Sequence, residues 1–409
     1  MLTPEEALHL ILEHAPVLEF QSVPLEESEG RVLAEELFAR FELPPFDNSA
    51  MDGFAVNAAD IEGASQDRPV KIKTLDVVRA GSQSRFPLQP GQAIKIMTGA
   101  PIPEGADAVV MKEFTSMDQD KWVSVLRAPK KQENIRLQGE DIRVGQSLAR
   151  KGLRIRPYEV VLLAAQGFRI VPVVRKPNVA ILATGDELTP LSDPLLSGKI
   201  YNSNGPAIAA FLSRWNIPCL DLGIAGDAPV KLEDDLKKAL ADADVLIVSG
   251  GVSVGDFDYT KTVLENIGVQ EVFWKVAIKP GKPLFYGVHS NEGEGNKIIF
   301  GLPGNPVSAL VCLEEFVRPA LEKMQGFTPS HPSYHLEGKI LNRYSKPRDR
   351  QQYLFCNARK NEANWDLEII RPQGSAMLGM ASSANALAMA CIGIDQVSPG
   401  DRLPFRWIK

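Results

Sequence analysis

The sequence predicts a multidomain α/β plus β chain, with one parallel-sheet unit set between two mostly β regions. Three observations carry that prediction. Over residues 177–326 short apolar strands alternate with amphipathic helices, which implies a parallel sheet covered on both faces. Residues 41–145 are rich in Gly and Pro between short apolar runs such as PVKIKTLDVV, QAIKIMTG and ADAVVMKE, the composition of a β region. After the linker FTPSHPSYH, residues 327–409 alternate polar and apolar in short runs, which suits a small β domain or barrel.

The N-terminal stretch MLTPEEALHLILEH reads as a helix. Thr3 is its N-cap, Pro4 takes the first helical position and Glu6 completes a capping box. Leu8, Ile11 and Leu12 make its apolar stripe. Acidic residues stand where a signal peptide is basic, and no apolar run is long enough to span a bilayer, so a cytoplasmic location is expected. Residues 1–40 and 146–176 look helical and strand-like and are expected to come together, with 41–145 inserted between them. In the α/β unit, strands are expected at 178–183, 219–223 and 245–249, near 272–278 and 284–288, and at 297–300. Helices are expected at 205–215 and 230–241, from about 258 to 266, and over 307–325.

Bulk properties exclude some functions. A length of 409 residues allows several domains, and 44% hydrophobic with 23% charged residues describes an ordinary globular chain. The net charge of −6 argues against a nucleic-acid binder, so an anionic substrate must meet a local basic cluster. Cys219, Cys312, Cys356 and Cys391 lie far apart without a C-x-x-C, which suits a reducing compartment and gives no zinc framework. His331 and His335 are spaced i, i+4, but Pro332 between them argues against a helical metal pair, and they read as linker residues.

Two stretches concentrate the chemistry. LIVSGGVSVGDFDY runs from an apolar strand into a glycine-rich turn with Gly250, Gly251 and Gly255, then to Asp256 and Asp258 at a helix start. One of these aspartates is accounted for as a cap; two exceed what a cap needs. FWKVAIKPGKP delivers Lys275, Lys279 and Lys282. A spacing of four in a strand puts Lys275 and Lys279 on one face, and two like charges held together want an anion between them. A solvated lysine face is the competing account. Carboxylates for a divalent cation and lysines for an anion, both at strand ends, suit phosphate or oxyanion chemistry.

Other words add to this. In GLPGNPVS, Asn305 can cap a helix and Pro306 fits its first position, leaving free N–H groups for an anion, while Ser308 adds a hydroxyl and Gly301 and Gly304 allow close approach. An ordinary strand-to-helix turn is the competing account. TGDEL places Asp186 and Glu187 at a strand end, where open α/β sheets bind ligands and where a helix cap is equally served. DNSAMDGFA holds Asp47, Asn48 and Asp52; NIRLQGEDIRVG holds Arg136, Glu140, Asp141 and Arg143. Neither is diagnostic by composition. No G-x-x-x-x-G-K-[ST] is present, which excludes a P-loop NTPase.

Together the words are specific. DNSAMDGFA, MTGAPIPEGADAVV, NIRLQGEDI, TGDEL, SGGVSVGDFDYTK, WKVAIKPGKP and GLPGNPVSA occur in that order. The chain resembles the MoeA family of molybdopterin molybdenumtransferases, to which the gephyrin E domain also belongs. That resemblance implies four domains: an elongated dimerisation domain (1–40 and 146–176), an inserted mostly β domain (41–145), a three-layer α/β domain like molybdopterin adenylyltransferases (177–326) and a C-terminal β barrel (327–409). It implies a homodimer, each active site combining the α/β and barrel domains of one subunit with the inserted domain of the other. The implied reaction takes adenylylated molybdopterin and molybdate, cleaves the phosphoanhydride with Mg²⁺, releases AMP and leaves molybdenum on the dithiolene. Transient contact with molybdopterin adenylyltransferase, and with apo-molybdoenzymes or their chaperones, is also implied, with neither nucleic acid nor membrane as partner.

The resemblance assigns residues by motif. Asp52, Asp141, Glu187, Asp227, Asp258, Lys275 and Lys279 become catalytic, with Glu187, Asp227 and Asp258 as metal ligands. Thr98, Gly250, Gly251, Ser253, Lys282, Pro303, Gly304 and Asn305 become substrate-binding. So do Ser308, Arg350 and Ser375, which with Lys279 would form the molybdate pocket. Two departures stand out: Phe54 replaces a usual tyrosine beside Asp52, and QQYLFCNAR lacks the usual arginine-glycine pair, with Cys356 near the arginine's place. An adenylyltransferase, sharing the α/β domain, and a non-enzymatic dimeric scaffold are the competing functions. A scaffold has no need to keep these carboxylates and lysines together.

Overall fold

The computed structural model describes residues 1–118, 121–226, 228–251, 260–291, 295–328, 334–362 and 364–408. Asp227, Ser253, Gly255, Asp256, Asp258 and His331 lie outside the described residues.

The first helix, Pro4–His14, forms for the reasons its sequence suggests. The Thr3 side chain accepts from the Glu6 N–H, the Glu6 carboxylate accepts from the Thr3 N–H, and Pro4 opens the helix. Its stripe, Ala7, Leu8 and Ile11, is buried in the α/β core with Tyr286 and Phe316 rather than among residues 146–176. The Tyr286 hydroxyl donates to the Ile11 carbonyl at 3.3 Å.

The chain then builds a small unit from both flanks of the insertion. Phe20–Pro24 pairs antiparallel with Ile170–Val174, and Leu37–Phe38 with Ser147–Ala149. Val23, Leu33, Ile155, Leu163, Val171 and Val173 fill its core. Between the flanks a six-stranded sheet runs in the order Ala108–Met111, Gly53–Val56, Gln92–Ile96, Val70–Val78, Trp122–Val125, Thr115–Met117. Gly53 is forced by close approach, because a Cβ there would lie 1.9 Å from the Val110 carbonyl oxygen.

The α/β sheet runs Cys219–Ala225, Val179–Thr184, Val245–Ser249, Gly295–Leu302, Phe285–Asn291, Gln270–Trp274. Its first four strands are parallel, and Phe285–Asn291 runs antiparallel to both of its neighbours. The expected all-parallel sheet fails at that edge because the links between these strands are too short for a crossover. Val245–Ser249 matches its expected bounds and is buried throughout, as a central parallel strand requires. The helix expected over 307–325 is interrupted: Pro306–Cys312 and Arg318–Met324 flank a π-helical turn, Leu313–Val317. Pro319 explains it, since its ring would collide with the carbonyl four residues back in a regular helix.

Five strands close the C-terminal barrel. Gln351–Asn361 pairs with both Asn364–Ile369 and Ala386–Ala390, and Leu336–Ile340 and Arg402–Trp407 complete the ring. Ile340, Leu354, Cys356, Leu367 and Phe405 fill it. Two fastenings hold the barrel to the α/β unit. Ile278–Lys279 pairs parallel with Gln351–Gln352. The Arg406 guanidinium sits between Glu314 (2.5 Å) and Glu315 (2.9 Å), both on the π-helical turn. Among the described residues no helix is long and apolar enough to cross a membrane.

Candidate functional site

The strand order makes a crevice before any side chain is considered. From Val179–Thr184 the chain passes to Cys219–Ala225 on one side, then returns to Val245–Ser249 on the other. Such a reversal parts the loops at the carboxyl ends of the two central strands. Gly250 and Gly251 lie there with φ of +93° and +64°. A Cβ on Gly250 would be 2.4 Å from the Thr184 carbonyl oxygen, and one on Gly251 would be 2.0 Å from the Thr260 hydroxyl. Only glycine allows this loop to lie on the strand end. Asn204 ties the loop to the next turn, donating to the Ser249 hydroxyl at 2.7 Å and the Gly304 carbonyl at 2.9 Å.

Oxygen donors border this crevice. Thr184 Oγ1 and Asn204 Oδ1 are buried without a hydrogen-bond partner. Glu187 is exposed, its carboxylate folded against Gly185, where a Cβ would be 2.4 Å from Oε2. Asp186 Oδ1 lies 3.2 Å from the position of a Cβ on Gly226. Among the described residues no three His, Cys, Asp or Glu side chains converge as a metal cluster. Two of the three expected ligands, Asp227 and Asp258, fall outside those residues. The donors in view are hard oxygens, which suit Mg²⁺.

Beside the crevice, a cavity of about 250 Å³ lies between the α/β unit and the barrel. It gathers Lys279, Lys282, Pro303, Asn305, Ser308, Arg350 and Ser375, which the sequence offers as separate words. The ladder between Ile278–Lys279 and Gln351–Gln352 explains the convergence, because it carries Lys279 and Arg350 to one place from two units. Arg350 Nε is buried without a hydrogen-bond partner, and its nearest carboxylate, on Asp349, is 3.7 Å away. A buried N–H donor left unpaired is costly, and an oxyanion would satisfy it.

Two expectations need correction here. The N–H groups of Val307 and Ser308 are not free for an anion: both donate to the Ser375 carbonyl, at 3.0 and 3.4 Å. Asn305 takes the N-cap position, but its side chain makes no capping bond. The cavity's attraction for anions therefore rests on Lys279, Lys282 and Arg350. Lys275 and Lys279 do not share a strand face either. The strand stops at Trp274, Lys275 adopts φ +85°, and its ammonium lies 3.8 Å from the Trp274 ring centroid. The left-handed turn at Lys275 and a second pairing partner, the barrel, override the alternation expected from sequence.

Sequence reasoning missed Gln352. It lines the cavity, its Nε2 donates to the Tyr344 hydroxyl at 2.9 Å, and its Oε1 is buried without a partner. The only signal was a pair of glutamines opening a buried strand, QQYLFC.

In the insertion the three remaining words are laced together. Ile135–Arg136 pairs with Asn48–Ser49, the Gly99 N–H donates to the Ser49 carbonyl, and the Gln138 N–H donates to Asp47 Oδ1 at 2.7 Å. Asp52 Oδ1 accepts from both the N–H and the hydroxyl of Thr98, each at 2.8 Å, and these bonds hold its carboxyl below the usual range. Asp141 sits in the adjoining turn, its N–H bonded to the Leu43 carbonyl. Phe54 packs in the apolar core with Ile72, Val110 and Val123. Cys356 is buried in the barrel, where burial pushes its thiol up to about 12; it stays neutral, and a thiol cannot replace the positive charge of an arginine.

Comparisons with known proteins agree with this architecture. Residues 2–167 match the MoeA N-terminal region (domain I and II), and residues 180–323 match the probable molybdopterin binding domain. The molybdopterin molybdenumtransferase of Staphylococcus epidermidis is 36% identical over 95% of this chain and 91% of its own. That of Bacillus subtilis is 42% identical over 78% of this chain and 74% of its own. The crystal structure of the molybdopterin biosynthesis MoeA protein from Pyrococcus horikoshii OT3 superimposes with a TM-score of 0.80 at 28% identity, covering 99% of each chain.

Proposed function

The chain belongs to the MoeA family of molybdopterin molybdenumtransferases, transferases of molybdenum cofactor biosynthesis, and on that premise we propose that it inserts molybdate-derived molybdenum into adenylylated molybdopterin with release of AMP. The observation that carries this reading is the cavity in which Lys279 and Ser308 of the α/β unit meet Arg350 and Ser375 of the barrel, beside the glycine-lined crevice.

The crevice takes the adenylylated pterin. Gly250 and Gly251 let the loop lie down on the strand end and form one wall, and the turn 303–305 closes the other wall, tied to it by Asn204. The cavity takes molybdate. Arg350 offers a fixed donor, Lys279 and Lys282 supply the countercharge, and the Ser308 hydroxyl adds a bond. Glu187, with Asp227 and Asp258, would hold Mg²⁺, which would draw charge from the phosphoanhydride when bound. Water cleaves that linkage, its oxygen going to one phosphorus, so that AMP leaves on one side and the pterin monophosphate stays on the other. The two dithiolene thiols take molybdenum from molybdate, their protons leaving with one of its oxygens as water. Asp52, Thr98 and Asp141 stand in the insertion and act at the crevice of a second subunit.

A homodimer is supported by an apolar face that a monomer has no reason to expose. Helix Pro157–Ala165 shows Tyr158 (78% exposed) and Val161 (64% exposed) to solvent, and Phe20, Phe38 and Ile170 are exposed on the same unit. The adenylyltransferase that makes the substrate and the apo-enzymes or chaperones that take the product are the expected transient partners, in the cytoplasm.

The test is AMP release from adenylylated molybdopterin with Mg²⁺, with and without molybdate. Molybdate-dependent release supports the reading. Adenylylation of free molybdopterin by ATP, without such release, would replace it with an adenylyltransferase.

A further inference from the structure

A second concavity, of about 630 Å³, lies away from the crevice. Its wall includes Lys176, Asn216 and Ile217, which come just before the strands Val179–Thr184 and Cys219–Ala225. The crevice lies just after the parallel strands, so this concavity is at the opposite end of the sheet. The flanking unit, the α/β unit and the last barrel strand all contribute to it.

Its charge is unbalanced. Six basic side chains line it against three carboxylates, Glu29, Glu314 and Glu322. Two of those carboxylates are already engaged: Glu322 pairs with Arg318 at 2.8 Å and Glu314 with Arg406 at 2.5 Å. Arg31, Arg154, Lys176 and Arg214 are left with Glu29 among the lining acids. Arg31 is buried and spends one N–H on the Val174 carbonyl at 2.9 Å. Burial lowers the Lys176 ammonium below its usual range, and the charge of Arg31 lowers it further. Glu27 offsets part of the Arg31 charge, but Lys176 still faces burial and repulsion, and an anion joining these cations would relieve both. Flat apolar walls complete the site: Phe327 lies 5.3 Å under the Arg154 guanidinium and Trp215 lies 5.7 Å under that of Arg318.

We propose that this basic cavity binds a small molecule carrying a phosphate or pyrophosphate group, at a site separate from the crevice and the oxyanion cavity. Its volume is that of a small-ligand pocket. Cations reach it from several directions around a hollow, which suits a compact polyanion better than the flat face an acidic protein segment would cover. Bound there, the ligand would bridge the flanking unit to the end of the barrel.

Calorimetric titration of the full chain with inorganic pyrophosphate at low ionic strength tests this. The background is Lys279→Met, which weakens the other anion site. We expect one saturable site in that background and at least a tenfold loss of affinity when Lys176→Met and Arg214→Ala are added. Circular dichroism checks the fold, and Arg154→Ala, at an exposed position, provides a second variant expected to weaken binding in the same direction. Absence of saturable heat in the background protein overturns the proposal, as does affinity unmoved by all three substitutions. Binding of polyglutamate, but not pyrophosphate, through Lys176 and Arg214 would also overturn it and assign the face to an acidic protein segment.

Discussion

Lys279 and Lys275 look equivalent in the sequence, and the structure separates them. Lys279 lines the oxyanion cavity with Arg350 and Ser308, whereas Lys275 lies over the Trp274 ring and does not line that cavity. Replacing Lys279 with Met keeps the apolar stem and removes the charge. A hydrogen bond to a charged group contributes about 1.5–3 kcal/mol, so losing one from bound molybdate weakens binding by roughly 10- to 150-fold. The same change at Lys275 should alter molybdate affinity by less than about twofold, a few tenths of a kcal/mol. Calorimetry with molybdate, without the pterin substrate, reads both. Lys279→Met and Arg350→Met should be non-additive when combined, since both groups act on one anion. Equal losses at Lys275 and Lys279 would refute the separation, and unchanged affinity in Lys279→Met would move molybdate out of this cavity.

Other perturbations probe the remaining links. Glu187→Gln should abolish AMP release while leaving the unfolding transition unmoved, because the carboxylate is exposed; full activity would remove it from the metal site. Gly251→Ala should abolish turnover and lower stability, since the new Cβ would lie 2.0 Å from Thr260 Oγ1; an active, equally stable variant would show the loop free to shift. Asp244 takes both ends of the Arg175 guanidinium, at 2.6 and 2.8 Å. Burial raises its carboxyl, but Arg175 and the Asn178 N–H outweigh that and hold it below the usual range. Asp244→Asn should therefore cost about 1.5–3 kcal/mol at neutral pH. The difference from wild type should persist above the unfolded aspartate value of about 4 and shrink as pH falls through the lower folded value, as read by urea denaturation; a constant difference down to acid pH would contradict it. Val161→Glu on the exposed apolar face should yield monomers in sedimentation; an unchanged oligomeric state would place the interface elsewhere.

Local physics was the most legible part of the chain. The capping box at Thr3 and Glu6 and the buried strand Val245–Ser249 follow from short-range spacing, and both are present as expected. Competition between partners was hidden. The Val307 and Ser308 N–H groups look free in GLPGNPVS, yet Ser375, sixty-odd residues on, supplies their acceptor. Lys275 leaves its strand because the chain turns to join the barrel ladder, a pairing no local period encodes. Pro319 sits inside an otherwise helical pattern, and a π-helical turn, rather than a break, absorbs it and aims Glu314 and Glu315 at Arg406. Gln352 became visible only when the closed barrel left its amide oxygen buried and unpaired.

The most direct test is to locate molybdenum itself, by anomalous diffraction at its absorption edge from crystals of the full chain soaked in molybdate. The account predicts a strong peak between Lys279, Ser308 and Arg350, absent from Lys279→Met/Arg350→Met crystals. A peak at the Lys176 and Arg214 cavity instead, or a peak that survives both substitutions, would contradict it.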